Sequence, residues 1–349
     1  MTTNQNQQRG ESRERGQSRE QGESPVRGQS REQAESREQG GSPEQAESQS
    51  ILLAGASGVL GRHIARALTD AGHKVTGLGR SGGNGVRADL MDRDALLRAV
   101  DGQHFDTVVH AATALRKPPM RHRDMHATDA LRTEGTAHLI EAARLTGARR
   151  FIAESMVFGY GYGDFGDQVI TEEDEYGPRG TTPELERHLA GMRTKEQLTF
   201  GTPGLEGIAL RFGAFYGPGG TETLLELLRK RQLPTPADRG RVLPWVELSD
   251  AGRAVAAAVA HGRPGQAYNV VDRTPIGFRG HLLCVAEEFG LPKPMAVPLW
   301  ATRPLSYAHT MFSSSMRVSA AKAERELGWT PAYPASRDGL AALRAATAW

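Results

Sequence analysis

Eleven residues, Ile51 to Gly61 (ILLAGASGVLG), constrain this chain more than any others. The apolar run Ile51 to Ala54 suits a buried parallel strand, and Gly55, Gly58 and Gly61 follow at intervals of three. Glycines so spaced let the backbone turn tightly, approach a pyrophosphate closely, and pack a helix against the strand. A helix beginning near Val59 then turns its free N–H groups and the positive end of its dipole toward the phosphates. Ser57, Val59 and Leu60 belong to the same turn, with Arg62 just beyond it. A glycine-rich strand-to-helix turn without a ligand would look the same over so short a stretch, so the rest of the chain must decide.

The residues before this turn contribute nothing to a core. Met1 to Ser50 contain four apolar residues (Met1, Val26, Ala34, Ala46) and a near-repeat, RGQSREQGES at Arg15 to Ser24 and RGQSREQAES at Arg27 to Ser36. Such a segment cannot bury enough apolar surface to offset its ordering entropy, so a disordered tail is expected over residues 1–50. A repeat array is disfavoured because its units have no hydrophobic face to stack. A signal peptide would need an apolar segment, and a transit peptide would carry fewer glutamates.

From Ile51 onward the chain has 36 basic and 32 acidic residues, too mild a balance to argue for nucleic acid. No apolar run approaches the roughly 18 residues a membrane span needs. The single Cys284 excludes an internal disulfide, suits a reducing cytoplasm, and lies in HLLCVAEEF as a core residue. No metal site is expected.

Along the chain, Ile64, Ala65 and Leu68 share one helical face, Gly72 ends that helix, and a second strand runs from His73 to Leu78. At the end of a second strand a dinucleotide fold reads the adenosine ribose: a carboxylate accepts from a 2′-hydroxyl, an arginine accommodates a 2′-phosphate. This chain has Gly79-Arg80-Ser81 there, which favours NADP over NAD unless Arg80 is only a solvated loop cation. Arg62 could help hold the same phosphate. A short third strand is expected at Val86 to Leu90, a helix through Asp94 to Val100, and a fourth strand at Phe105 to His110 leading into Ala111-Ala112-Thr113.

GASGVLG, then GR after the second strand, ADL, and DTVVHAAT together resemble the extended short-chain dehydrogenase/reductase superfamily, the NAD(P)-dependent epimerase/dehydratase group. The likeness continues through EGTAHLIEAAR (Glu134 to Arg144), RRFIAESMVFGYG (Arg149 to Gly161), IALRFGAFYGPG (Ile208 to Gly219), VELSDAGRAV (Val246 to Val255) and AKAERELGWTPAY (Ala321 to Tyr333). It implies an α/β fold: a Rossmann-type doubly wound parallel sheet, mainly residues 51–210, with a smaller substrate-binding portion, mainly 211–349, interleaved with it. It also implies that Asp89 and Leu90 lie around the adenine and that Ala111, Ala112 and Thr113 line the cofactor. His110 is read as packing at the strand end.

The resemblance breaks where the chemistry should be. Hydride exchange with an alcohol or carbonyl needs a group that moves the hydroxyl proton. The family uses a Tyr-x-x-x-Lys pair, the lysine lowering a tyrosine pKa that is ordinarily about 10. Aligned back from Glu196 in KEQLTF, the tyrosine place holds His188 and the lysine place Met192; Lys195 has Gly191 four residues before it. The family's small hydroxyl residue falls on Glu154, with Ser155 one place later. His188 has proton-donor chemistry, or is a surface helix residue. Glu154 could act as an acid or base if burial raised its pKa, or serve in a salt bridge. Tyr160 and Tyr162 lie among glycines that read as a flexible loop.

Two further departures concern substrate. Ala214 stands at the asparagine place of the nucleotide-sugar members, and Leu243 at an arginine place, which argues against a nucleotide-diphosphate sugar. The loop LRKPPMRHRDMH (Leu115 to His126) and the run RKRQLP (Arg229 to Pro234) could contact an anionic substrate or be solvated. The expectation is therefore a cytoplasmic, NADP-preferring oxidoreductase acting on a small molecule by hydride transfer at a carbonyl or hydroxyl carbon. The alternatives are a non-redox enzyme that keeps the cofactor as scaffold and a catalytically silent NADP-binding sensor. A homodimer is suggested by analogy alone.

Overall fold

In the computed structural model the described residues are 47–81, 83 and 85–347. Most of the tail expected over residues 1–50 thus lies outside the described residues. Its last residues are not free of the fold: Gln49 accepts a hydrogen bond from Lys74 N–H through its carbonyl (2.9 Å) and from Thr107 Oγ1 through its side chain (2.8 Å), and Ser50 N–H donates to Asp106 Oδ2 (2.7 Å).

Seven strands make one parallel sheet: β1 Ser50–Ala54, β2 Lys74–Gly79, β3 Val86–Arg87, β4 Thr107–His110, β5 Arg150–Met156, β6 Glu206–Phe212 and β7 Gln266–Val270. Their order is β3-β2-β1-β4-β5-β6-β7, and every pairing is parallel. This is the doubly wound arrangement, with chain reversal beside β1. Alternation along β1 explains why both faces are covered: Ile51 and Leu53 enter one core, Leu52 and Ala54 the other.

On the first face lie α1 (Val59–Asp70) and a helix from Leu248 to His261, which pack closely because Gly252 has no side chain to meet the His63 carbonyl. On the second face are α2 (Arg93–Val100) and α3 (Thr136–Leu145), whose Leu96, Val100, Leu139 and Ile140 are buried. α4 (Pro183–Gly201) lies against β5 and β6. It can do so because Gly207 leaves room for the Thr199 carbonyl.

A third core, including Tyr160, Tyr216, Trp245, Leu282, Val285, Met316 and Leu340, draws on segments either side of β6 and β7. Cys284 is buried within it. The third strand is shorter than expected, because Asp89 starts a turn: its carbonyl accepts from Asp92 N–H and its carboxylate from Met91 N–H, both at 3.0 Å. Among the described residues no helix is long and apolar enough to cross a membrane.

The turn that joins β1 to α1 leaves no room for a side chain at Gly61. A Cβ on Gly61 would overlap the Gly55 carbonyl oxygen. Gly61→Ala is therefore expected to cost about 1–3 kcal/mol, as other overpacked sites do. It should lower the urea midpoint with an unchanged m-value; an unaltered midpoint would show that α1 can slide off the turn.

Candidate active site

The glycine turn sits at the carboxyl edge of the sheet, between the ends of β1 and β4. Gly55 has φ +89°, and a Cβ there would lie 2.7 Å from the Ala111 carbonyl oxygen. Only glycine meets both conditions. Gly58 N–H donates to the Gly55 carbonyl (2.9 Å), and Gly58 caps α1 without any side-chain hydrogen bond. No acidic residue occupies the first turn of α1, so the N–H groups that open at Val59 and Leu60 face no competing carboxylate. Ser57, Gly58 and Val59 are exposed at the mouth.

The residues expected at a cofactor have the following surroundings. Arg62 folds back to donate to the Ser57 carbonyl (3.0 Å) and lies beside Gly219. Arg80, at the end of β2, stands 3.8 Å from Asp89, and both are exposed. Leu90 is buried and its carbonyl accepts from the His138 ring (2.8 Å). Ala111 N–H continues the ladder to the Ala54 carbonyl (3.0 Å), Ala112 N–H donates to His110 Nδ1 (3.3 Å), and Thr113 Oγ1 meets Thr128 Oγ1 (3.3 Å). His110 is fully buried at the strand end, where desolvation and the Lys195 charge hold its ring well below the usual histidine pKa. The side-chain-free cradle, the uncapped helix start and the basic pair Arg62 and Arg80 fit a dinucleotide.

The second half of the site is built on α4. Pro183 opens that helix, and Thr182 caps it by accepting from Leu185 N–H (3.3 Å). One and two turns on, His188 and Met192 face inward. His188 is not on the surface, as the helical alternative would have it: its side chain has no exposure at all. Its Nδ1 is 2.6 Å from Asp129 Oδ2, and its Nε2 is 3.0 Å from His122 Nδ1. The two imidazoles stack with centroids 5.2 Å apart, and Tyr307 meets both edge-on. Tyr162 closes the group against His188 and Tyr307, so it is packed, where a flexible loop was expected. Gly191 packs directly on Asp129, whose Cα would lie 3.5 Å from a Cβ there, an ordinary contact distance.

Asp129 also accepts from Arg132 Nη1 (3.2 Å). Arg132 projects from one turn of π-helix, Leu131–Gly135, of the kind that recurs at functional sites. On α4, Lys195 Nζ donates to Glu154 Oε2 (2.9 Å), with the lysine side chain only 2% exposed. Of the two roles expected for Glu154, the salt bridge is the one seen here. Burial pushes its carboxyl up, but Lys195 and Arg132 outweigh that and hold it below the usual glutamate range. These neighbours favour its ionised form, in the salt-bridge role.

Ser155 points elsewhere. Its Oγ donates to Glu196 Oε1 (2.7 Å) and meets the Tyr176 hydroxyl (2.6 Å). Glu196 in turn receives a two-pronged contact from Arg211, at 3.0 and 2.7 Å, and Arg211 donates to Tyr160 (2.7 Å). Tyr160 is likewise buried and hydrogen-bonded to Asn269 (2.8 Å), again unlike a flexible loop. Ser155 thus locks β5 to α4, while Glu154 and His188 face the Asp129–Arg132 group.

The residues that sequence reasoning missed are Asp129, Arg132, His122 and Tyr307. Part of the loop Leu115 to His126 is not free in solvent: the Met120 carbonyl accepts from Tyr307 and Ala308 N–H (3.0 and 3.1 Å), and His122 N–H donates to Ser306 Oγ (3.3 Å).

Removing one partner of a buried ion pair strands the other charge. Lys195→Met should destabilise the protein by about 3 kcal/mol. Because Glu154 is held below its ordinary pKa of about 4.3, its stabilising contribution is complete above that value and is lost as pH falls through the lower folded one. The variant should therefore unfold at a higher pH than the wild type in an acid titration followed by circular dichroism. Coincident acid transitions would show that Arg132 alone keeps Glu154 ionised.

Comparisons with known proteins agree with this architecture. The model of the NAD dependent epimerase/dehydratase family matches residues 51–271. A Streptomyces protein named 3-diazoavenalumate denitrifying reductase is 35% identical over 307 residues, covering 83% of this chain and 98% of its own. Among solved structures, human epimerase family protein SDR39U1, crystallised with NADPH, superposes with a TM-score of 0.71 at 16% identity, covering 84% of this chain and 98% of its own. A dTDP-glucose 4,6-dehydratase from Streptomyces venezuelae with NAD bound gives 0.67 at 22%, covering 84% and 95%. At such identities these two likenesses speak for the fold alone, whereas the family match spans most of the chain: it belongs to the NAD dependent epimerase/dehydratase family.

Proposed function

We propose that the protein is an NADPH-dependent reductase that removes the diazo group of a small organic acid as N2. The observation that carries this reading is the occupant of the family's tyrosine and lysine places: a sealed histidine with both ring nitrogens engaged, and Met192, which is 2% exposed in the core. No tyrosine in the chain is followed four residues later by a lysine. Reduction of a carbonyl creates an alkoxide that must be protonated as it forms, and nothing at these two places can do that. Reduction of a diazonium group consumes no net proton. R–N2+ and one hydride give R–H and N2, with the C–N bond broken and the cofactor oxidised by two electrons. The Streptomyces relative, whose printed name describes a reductase that removes nitrogen from a diazo compound, supports the same class of substrate.

The charges of the pocket wall suit this reaction. Bound NADPH would supply the hydride. Glu154 neutralises Lys195, and Asp129 neutralises Arg132, so two buried cations stand without an excess of positive charge. An unpaired lysine would repel a cationic diazonium in a low-dielectric pocket; a compensated set does not. Arg80 is the group that would select the 2′-phosphate, with Arg62 in support at the helix start.

The test is consumption of NADPH with stoichiometric N2 release on an aryl diazo carboxylate. NADPH oxidised without N2 would point to carbonyl chemistry, and N2 absent with NADPH unconsumed would return the protein to the scaffold or sensor alternatives. Arg80→Ala should weaken NADPH binding about tenfold, the worth of one charge-assisted contact, and leave NADH binding unchanged in a fluorescence titration. Equal losses for both cofactors would remove Arg80 from the phosphate role.

A further inference from the structure

His188 occupies the family's tyrosine place, yet nothing outside the protein can touch it. Its side chain has no exposed surface, Nδ1 is held by Asp129, and Nε2 is held by His122. His122 is different: it is half-buried, at the end of the loop that faces helix Ser306–Ser313. We infer that His122, not His188, is the catalytic residue that exchanges a proton with the bound substrate, and that His188 and Asp129 position and polarise it. The inference deepens the reductase reading and rests on it.

The hydrogen-bond roles follow from the acceptors. The Asp129 carboxylate requires the proton of a neutral His188 to lie on Nδ1, which leaves His188 Nε2 as an acceptor. Only His122 Nδ1–H can then fill that bond, and it leaves His122 Nε2 with a bare lone pair. A proton arriving there lets the Nδ1 proton pass inward, so that positive charge comes to rest on His188 beside the Asp129 carboxylate. The charged and titratable groups facing His122 are His188, His126, Glu184 and Tyr307. Burial, then the two neighbouring imidazoles, lower its pKa against the opposing pull of Glu184. These influences together favour the neutral ring, which can accept a proton. The loop holds it in register: Asp124 accepts from Met120 and Arg121 N–H (both 2.9 Å), and His122 N–H is fixed on Ser306.

In the proposed reaction a base that returns what it takes has a defined place. Hydride added to the outer nitrogen of R–N2+ gives R–N=N–H. His122 Nε2 takes the N–H proton, the N–H electron pair closes the N≡N bond, and the C–N pair stays on carbon. That carbon recovers the proton from His122, giving R–H and N2 with no net proton consumed.

The experiment compares full-length wild type, His122→Ala and His188→Asn. NADPH binding, read by fluorescence, checks that each variant is folded. With the aryl diazo carboxylate, His122→Ala should lower kcat about a hundredfold, as loss of a general acid–base does, with KM little changed. Added imidazole should restore part of that rate, because the vacated place opens outward. His188→Asn should be slowed and show a displaced pH profile of kcat, and imidazole should not rescue it. A His122→Ala variant within threefold of wild type, or one that imidazole fails to rescue, would overturn the assignment. If the wild type itself releases no N2, the reductase reading fails, and nitrogen-correlated NMR of the histidine rings still decides the relay. His122→Ala must then shift the His188 ring signals, and His122 in the wild type must show the Nδ1–H form; the Nε2–H form would overturn it.

Discussion

Four charges inside a protein wall are tolerable only in pairs, and the site depends on that pairing. Lys195 and Glu154 join α4 to β5, and Arg132 and Asp129 join two turns of the segment before α3 to each other and, through His188, to α4. Desolvation of any one of these ions costs several kcal/mol, so each is stable only while its partner is in place. The geometry of the pocket wall is therefore fixed by electrostatics as firmly as by packing. Gly207 serves the same end by letting α4 and β6 approach closely.

The cofactor half of the molecule was readable from sequence because its demands are local. Gly55, Gly58 and Gly61 meet one another and Ala111 within a single turn, so their spacing alone carries the geometry. The doubly wound parallel sheet came from the family resemblance carried by that turn and the motifs after it. The third and fourth strands are shorter than expected; the third ends early because the Asp89 carboxylate turns the backbone as an Asx residue does.

The chemical half was not readable in that way. His188 could be singled out, but its exposure could not, because what buries it comes from far along the chain. Asp129 is 59 positions away, His122 is 66, and Tyr307 belongs to a helix near the other end of the sequence. Spacing within one helix has no information about such contacts. The same holds for Glu154, whose pKa direction turns on Lys195 and Arg132 together, and for Ser155, which the Glu196–Arg211 network draws away from the pocket.

The hydrogen bonds from Tyr307 and Ala308 to the Met120 carbonyl tie the loop that carries His122 to the helix that faces it. They make a seam along one border of the site. Any motion that parts this seam to admit a molecule carries His122 away from His188 in the same stroke. The register of His122 against His188 is thus set in part by a helix near the other end of the sequence.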